Sequence, residues 1–317
     1  MSLDVLKDIS SLQEKYFFRI PYAHIIADYV WPGLVMSPER VIDIRNMKFT
    51  ADDILIASYP KSGTTWMCEL ISALAYRGDT DAVRKVRQDE RCNWIELEQN
   101  YWWVRAFYKY NKDQAEKDGS ANRRRVFFTH LPLELLPESA LNGDCKIVYV
   151  ARNPKDNAVS FYHFHRMTRF LGLQHNMSWN EFFALYMTGS LYCGSWFEHV
   201  LGFWRFSQKN DKVLFCKFED MKQDLRGSVD RIADFLEMKM EPPLMEKVYE
   251  HCTFDSMKKN PMANRNSNYL FDTNICKFMR KGIVGDWKNY FTFTQDELFQ
   301  EEYEKRMKDT GLEFQFK

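Results

Sequence analysis

The segment 59–66, with the sequence Tyr-Pro-Lys-Ser-Gly-Thr-Thr-Trp, is the first candidate for chemistry. A short apolar run precedes it and an apolar-periodic segment follows it, so the pattern predicts a turn between a strand and a helix. Free backbone N–H groups at a helix N-terminus bind phosphate, and Lys61 adds a positive charge. Lys61 precedes the only glycine, Gly63, so the segment is not a Walker A loop. It predicts an anion site, with an ordinary helix capped by Ser or Thr as the alternative.

Two further clusters of basic residues could bind a second anion. Arg152 ends an apolar run, and Ser160 lies about two turns into the helix predicted after it. A guanidinium and a hydroxyl that converge on one anion suit a terminal phosphate monoester. Farther along, Arg280 and Lys281 precede Gly282, and a glycine lets the backbone approach a phosphate closely. The alternatives are a guanidinium paired with a nearby carboxylate and, for the second cluster, a solvated turn.

These clusters must be positioned by strands and helices that alternate along the chain. Apolar runs predict strands at Asp53–Tyr59, Val126–Thr129, Cys145–Ala151 and Lys212–Phe218. Helical periodicity predicts helices at Trp66–Tyr76, from Pro154 onward, at Leu225–Leu236 and at Asp296–Met307. The alternation indicates an α/β fold with a central parallel β-sheet flanked by helices. Ligands bind beyond the carboxyl ends of such strands, so segment 59–65, His130, Arg152 and Phe218 are expected on one rim.

Composition argues against several classes of protein. The 317 residues include 44 Lys and Arg against 44 Asp and Glu, and zero net charge supplies no long-range field for nucleic acid or a membrane surface. The seven cysteines form no Cys-x-x-Cys pair, so neither a disulfide framework nor a zinc site is expected. The N-terminal residues carry charges throughout, and no stretch approaches about 18 apolar residues. We expect a reduced protein of the cytoplasm, without a signal peptide or membrane span, that binds no metal and no nucleic acid.

Five segments, in order, resemble the cytosolic sulfotransferases that use 3′-phosphoadenosine 5′-phosphosulfate (PAPS). They are THLPLELLP at 129–137, RNPKDNAVSFYH at 152–163, FEDM at 218–221, MKKNPM at 257–262 and FMRKGIVGDWK at 278–288. The resemblance implies a P-loop-like sulfotransferase fold, similar to that of nucleotide kinases, in one domain over residues 1–317. In this domain, residues 1–50 would form a helical or loop segment of the acceptor pocket, and residues 94–122 a lid or loop insertion.

The resemblance also implies a role for each matching residue, with PAPS bound and no metal required. His130 would take the proton of an acceptor hydroxyl, with Lys61 and Ser160 as the other catalytic residues, and Lys61 would neutralise the bridging oxygen as the S–O bond breaks. Trp66 and Phe254 would stack on the adenine. The residues implied to bind the cofactor are Lys61, Ser62, Gly63, Thr64, Thr65, Trp66, Arg152, Ser160, Phe218, Thr253, Phe254, Met257, Phe278, Met279, Arg280, Lys281 and Gly282.

Three positions depart from the family pattern. Phe128 stands where the family usually has a lysine that helps bind the sulfuryl group, so the rate or substrate preference could differ, or another cation could compensate. Phe218 replaces a tyrosine and could still stack on the adenine, but it has no hydroxyl to donate. Thr253 falls in a segment where the family has Thr-Ser-Phe, and it can still supply one hydroxyl. None of these departures removes His130 or Lys61.

The sequence gives less information on the acceptor than on the cofactor. Segment Trp94–Tyr110 holds seven aromatic residues and runs directly into a polar loop, which favours a lid over an apolar, aromatic or polycyclic acceptor, although core helix packing would explain some of them. By resemblance, the residues expected to contact the acceptor are Tyr22, Phe128, His130, Trp102, Phe164 and His251.

The function implied is transfer of the sulfonate of PAPS to a hydroxyl of a small phenolic, steroid-like or other alcohol acceptor, as in xenobiotic or hormone metabolism. One alternative is PAPS-dependent dehydration of an allylic alcohol, and another is a catalytically weak PAPS-binding protein. A homodimer through Lys288–Glu297 is also expected, because this segment nearly matches the family's dimerisation motif, with Phe293 in place of a valine.

Overall fold

A computed structural model describes residues 9–97, 124–172 and 177–317. Its strands are β1 (His24–Ile26), β2 (Tyr29–Trp31), β3 (Ile54–Ala57), β4 (Cys92–Trp94), β5 (Val126–Thr129), β6 (Lys146–Ala151) and β7 (Val213–Lys217). β1 and β2 form a small antiparallel pair. The other five strands form one parallel sheet in the order β4-β5-β3-β6-β7.

The central strands are buried on both faces of this sheet. All four residues of β3 are inaccessible to solvent, and its alternate side chains join different apolar clusters: Leu55 packs on one face and Ile56 on the other. β6 follows the same rule, with Tyr149 on the face of Leu55 and Val148 on that of Ile56. Side chains alternate in this way along any strand, so a nearly continuous apolar run suits a sheet covered twice.

Helices cover both faces of the sheet. They are α1 (Ile9–Arg19), α2 (Pro38–Arg45), α3 (Thr64–Ala75), α4 (Thr80–Val83), α5 (Gln88–Arg91), α6 (Glu138–Leu141), α7 (Pro154–Met167), α8 (Trp179–Met187), α9 (Trp196–Ser207), α10 (Phe218–Gln223), α11 (Leu225–Leu236), α12 (Pro242–His251), α13 (Phe254–Lys259) and α14 (Phe293–Met307). Single 3-10 turns occupy Leu133–Leu135, Arg169–Leu171 and Asp286–Asn289. No helix within the described ranges is both long and apolar enough to cross a membrane.

The expected α/β fold with a central parallel sheet is confirmed, and each of the four predicted strands is present. α14 begins three residues earlier than predicted, at Phe293, because Thr292 and Gln295 form a capping box. β4 was not predicted, since it has only three residues and none of the apolar length that marks the other strands.

The N-terminal segment packs on the body of the fold through α1. The Tyr16 hydroxyl lies 3.1 Å from His165 Nε2, and the Lys15 ammonium pairs with Glu181 at 2.9 Å. Tyr22 follows α1 with its side chain 78% exposed. Most of the predicted lid, including Trp102, lies outside the described residues.

Candidate active site

A cavity opens at the carboxyl ends of β3, β5 and β6, the rim that the sequence pattern predicts. It encloses about 1270 Å³ of space, part of it open to solvent. Eighteen of the predicted site residues line it: Lys61, Gly63, Thr64, Thr65, Trp66, Phe128, His130, Arg152, Ser160, Phe164, Phe218, Phe254, Met257, Phe278, Met279, Arg280, Lys281 and Gly282. Lining residues that the sequence analysis did not assign to the site are Pro60, Trp94, Phe170, Tyr192, Lys222, Arg265, Phe271 and Ile283.

The loop between β3 and α3 has a shape that requires its glycine. Gly63 has a φ of 119°, and a Cβ there would lie 3.1 Å from the Phe218 ring. Lys61 is itself in the left-handed region, with a φ of 67°. The Asn157 amide donates to the Pro60 carbonyl at 2.9 Å and to Ser62 Oγ at 3.0 Å. The loop is therefore fixed from beneath by α7, and the buried Ser62 side chain serves that bond instead of lining the cavity.

Lys61 reaches into an aromatic part of the cavity. Its ammonium lies 3.8 Å from the centre of the Phe278 ring and 4.9 Å from that of Phe164. Burial lowers the pKa of Lys61 to about 7, and the positive charges of Arg265 and Arg152 add to this shift. A ligand anion beside the ammonium would favour its charged form.

His130 follows β5 and is held in one tautomer. Its Nδ1 lies 2.8 Å from the Ser58 carbonyl oxygen. A carbonyl can only accept, so Nδ1 carries the proton and Nε2 keeps its lone pair. Burial lowers the pKa of His130 to about 4, so the ring is neutral at pH 7. Glu96 accepts a hydrogen bond from the backbone N–H of His130, which fixes the start of the loop. Nε2 of His130 is therefore unprotonated at pH 7.

A second cationic group, around Arg152, lines the same cavity. Arg152 rests over the Phe218 ring at 4.5 Å and donates from Nη2 to the Ile283 carbonyl at 3.0 Å. Its Nε is buried and has no partner among the described residues. The Arg152 side chain forms no ion pair in the described ranges either, so the carboxylate alternative finds no support. An unpaired buried donor on a guanidinium suits an anionic ligand.

The loop around residue 282 brings two more cations to the cavity. Arg280 and Lys281 both pair with Asp286, at 2.5 Å and 2.6 Å. These partners and Asn289 hold the pKa of Asp286 at about 2, against the opposing effect of burial. Two cations share one carboxylate, so a positive charge remains for a ligand. The cluster is thus a structured loop and not the solvated turn considered as the alternative.

Asp156 anchors this loop to α7. Its two carboxylate oxygens accept from the backbone N–H groups of Gly285, at 2.7 Å, and Trp287, at 2.9 Å. Its neighbour Asn157 holds the loop between β3 and α3, as described above. Both residues belong to segment 152–163, but the sequence pattern does not reveal that they hold two separate loops.

Two aromatic rings line the cavity together with these cations. Trp66 is fixed by a hydrogen bond from its Nε1 to the Cys252 carbonyl at 2.7 Å, and it packs edge-on to Phe218. Phe254 lies against Gly282, where a Cβ would come within 2.4 Å of the ring. Gly282 has a φ of 63°, so both its conformation and the neighbouring ring require a glycine.

Near His130, the cavity wall is formed largely by aromatic rings. Trp94 stacks on Phe128 with ring centres 5.8 Å apart and planes 12° apart. Phe170 packs against Trp94 and Phe164 at 6.4 Å and 6.2 Å. These rings come from two strands, a helix and a 3-10 turn, and no single motif contains them all.

Three of the predicted contacts lie away from the cavity. His251 is buried, and both of its ring nitrogens are occupied: Nε2 lies 2.7 Å from Glu69 Oε1, and Arg84 donates to Nδ1 at 3.3 Å. Tyr22 points to solvent and does not line the cavity. Thr253 caps α13 by accepting from the Ser256 N–H. None of the three lines the described cavity, and the ligand contacts that the resemblance implies for them stay predictions.

Comparison with known proteins agrees with this geometry. The family model described as the sulfotransferase domain matches residues 51–311. The chain belongs to the sulfotransferase family. It is 38% identical over 273 residues to sulfotransferase 1C2 of Rattus norvegicus, which covers 86% of this chain and 88% of that protein. It is 39% identical over 269 residues to human sulfotransferase 1E1, with 83% and 86% covered.

Solved sulfotransferase structures share the fold. Mouse sulfotransferase SULT7A1, crystallised with PAP, superposes with a TM-score of 0.69 at 31% identity, covering 91% of this chain and 96% of that one. Retinol dehydratase in complex with retinol and PAP gives a TM-score of 0.78, but at 24% identity it supports the fold alone. The protein is a PAPS-dependent sulfotransferase with the P-loop-like fold of that family. The described residues contain no cluster of side chains that could hold a metal.

Proposed function

We propose that this sulfotransferase transfers the sulfonate of PAPS to the hydroxyl of a small apolar acceptor, with His130 as the general base. The observation that carries the proposal is a neutral imidazole, protonated on Nδ1 and basic on Nε2, that lines one cavity with the buried ammonium of Lys61. A base and a cation in one enclosed space match the two needs of sulfonate transfer, which are proton removal and neutralisation of the leaving phosphate.

Two groups of cations in the cavity would bind the two anionic ends of the donor. Lys61 and the N-terminus of α3 would bind the 5′-phosphosulfate, because helix N–H groups and an ammonium favour oxyanions. Arg152 would bind the 3′-phosphate through its unpaired Nε, with Ser160 and the Arg280–Lys281 pair beside it. Trp66 and Phe254 would hold the adenine between these ends.

In the reaction, the acceptor oxygen forms a bond to sulfur in line as the bond from sulfur to the 5′-phosphate oxygen breaks. His130 Nε2 takes the hydroxyl proton, so the products are a sulfate ester and adenosine 3′,5′-bisphosphate (PAP). Lys61 stabilises the charge that develops on the phosphate oxygen. No covalent intermediate with the protein is required, and catalysis rests on position and charge.

The aromatic wall supports a proposal for the class of acceptor. Trp94, Phe128, Phe164 and Phe170 offer ring faces beside His130, which favours a phenol or a polycyclic alcohol over a sugar. We further propose that the protein acts in the cytoplasm and forms homodimers through Lys288–Glu297. Phe293, within that segment, keeps 79% of its surface exposed, and a large apolar side chain of this kind suits an interface.

Radiolabelled PAPS tests the proposal across phenols, steroids, amines and aliphatic alcohols, with product analysis to separate a sulfate ester from a dehydration product. The matched pair is His130→Ala against His24→Ala, since His24 lies on β1 outside the cavity. We expect His130→Ala to lose about 10³-fold in kcat with PAP affinity unchanged, and His24→Ala to keep full activity. Equal rates for His130→Ala and the parent enzyme would overturn the assignment of the base.

A further inference from the structure

Arg265 brings a cation into the cavity without a carboxylate to neutralise it. Its guanidinium carbon lies 5.6 Å from the centre of the Phe128 ring and 5.5 Å from that of Phe278. Arg265 is only partly buried, and none of the ion pairs among the described residues includes it. The rings beside it in the cavity carry no negative charge, so an anion bound in the cavity would be its counter-ion.

Its orientation is fixed by a neutral partner. Arg265 donates from Nη2 to Gln88 Oε1 at 3.1 Å, with Nε at 3.4 Å from the same oxygen. The Gln88 amide nitrogen donates to Glu69 at 2.8 Å and to the Thr65 carbonyl at 2.9 Å, which fixes the direction of its oxygen. An amide oxygen orients a guanidinium without cancelling its charge.

The backbone of Arg265 is also unusual. Its φ of 56° is in the left-handed region, which costs a residue with a Cβ about 1 kcal/mol or more. The hydrogen bonds to Gln88 hold the side chain over the cavity from this conformation. A strained backbone at a cation directed into a cavity is a recurrent feature of ligand-binding sites.

The guanidinium lies beside the two groups that the proposed reaction uses. The Phe278 ring that it contacts also carries the Lys61 ammonium at 3.8 Å. The Phe128 ring that it contacts lies 6.0 Å from the His130 ring. We propose that Arg265 binds an oxygen of the sulfonate during its transfer, as a second cation beside Lys61. This inference rests on the proposed function and adds a residue that the motifs do not contain.

The experiment uses Arg265→Met, which keeps most of the apolar stem and removes the charge, and the double variant Arg265→Met with Phe128→Lys. Arg226→Met is the control, because Arg226 is a surface residue paired with Glu246. Binding of PAP, which has no sulfonate, is compared by calorimetry with binding of PAPS without acceptor, and kcat is measured on a neutral phenol. Thermal unfolding is recorded for every variant.

We expect Arg265→Met to lower kcat about 30-fold and to weaken PAPS binding, with PAP affinity within twofold of the parent. Phe128→Lys in the same chain should restore at least a fifth of the parent's kcat, because it returns a cation to the neighbouring position. A loss confined to the KM of acceptors that carry a carboxylate would overturn the inference, since Arg265 would then bind the acceptor. Equal loss of PAP and PAPS affinity, or a Tm lowered with no rescue, would overturn it in favour of a structural role.

Failure of the proposed function gives a different result. In that case the parent protein itself would fail to bind PAP or to transfer sulfonate to any acceptor. A parent that transfers sulfonate and an Arg265→Met variant with unchanged kcat and PAPS affinity would leave the proposed function intact and reject the role of Arg265 alone.

Discussion

The two halves of the cavity are built differently. Around Lys61 and Arg152, polar groups are fixed by buried hydrogen bonds to neighbouring backbone, as Asn157 and Asp156 hold the two loops. Around Phe128, aromatic rings from separate elements pack on one another. Under the proposed function, the first half would select by charge and distance and the second by shape and apolar area. We call the half around Lys61 and Arg152 the donor half and the half around Phe128 the acceptor half. Substitutions in the donor half should abolish activity, while those in the acceptor half should change which acceptors are used.

Lys61→Met should have the largest effect in the donor half. Loss of the cation beside the leaving phosphate should lower kcat about 10³-fold, the usual loss for one electrostatic stabiliser of a transition state. Single-turnover transfer from radiolabelled PAPS measures it. The surface variant Lys239→Met, which loses only an exposed pair with Asp234, is the control and should stay within twofold of the parent. A loss below tenfold for Lys61→Met would assign the neutralisation to another group.

Gly282→Ala should have the second-largest effect, because it should weaken binding of the donor nucleotide. The added Cβ meets the Phe254 ring and takes on a φ of 63°, so PAP binding should weaken about 20-fold. Gly311→Ala is a matched control, because its φ is 67° but nothing lies within 4 Å of the added Cβ. Both substitutions should lower the free energy of unfolding, because each places a Cβ at a positive φ, but Gly311→Ala should leave PAP affinity unchanged. Calorimetric titration with PAP distinguishes the two, and equal affinities would contradict the stacking role of Phe254.

Phe170→Leu probes the acceptor half and should change the KM of the acceptor instead of kcat or PAP affinity. Removal of one ring face should raise the KM of a polycyclic acceptor about tenfold, with PAP affinity unchanged. Phe182→Leu removes an equally buried ring that does not line the cavity, so it should lower the Tm without changing KM. An acceptor KM that responds equally to both variants would mean that Phe170 acts only through stability.

The pH dependence should show the smallest effect. Free Lys61, with a pKa of about 7, loses its charge as pH rises, so kcat/KM for PAPS should fall about fivefold between pH 7 and pH 8. His130, with a pKa of about 4, is neutral throughout this range, so no loss should appear between pH 7 and pH 5.5, where an ordinary histidine would become protonated. Stopped-flow or initial-rate measurements at constant ionic strength from pH 5.5 to pH 8 test both the fall above pH 7 and the constant rate below it. A decline below pH 6.5 would contradict the pKa of His130.

The donor half was largely predictable from sequence, because its determinants are local. A strand, a tight turn with Gly63 and a helix start are contiguous, and each has its own signal in the pattern. Long-range contacts were not predictable. Arg265 has no motif, and its importance depends on Gln88, 177 residues away in the chain. His251 was placed in the acceptor pocket by resemblance, yet Glu69 and Arg84 occupy both of its ring nitrogens.

Two adjacent residues at the start of α7 have a consequence for ligand length. Asn157 holds one anion-facing loop and Asp156 the other, so a single helical turn sets the separation between them. A nucleotide whose two anionic groups are spaced more widely could bind only by breaking these buried hydrogen bonds, at about 1–3 kcal/mol each. We therefore expect the protein to discriminate between isomeric nucleotide bisphosphates by the distance between their phosphates as well as by their charge.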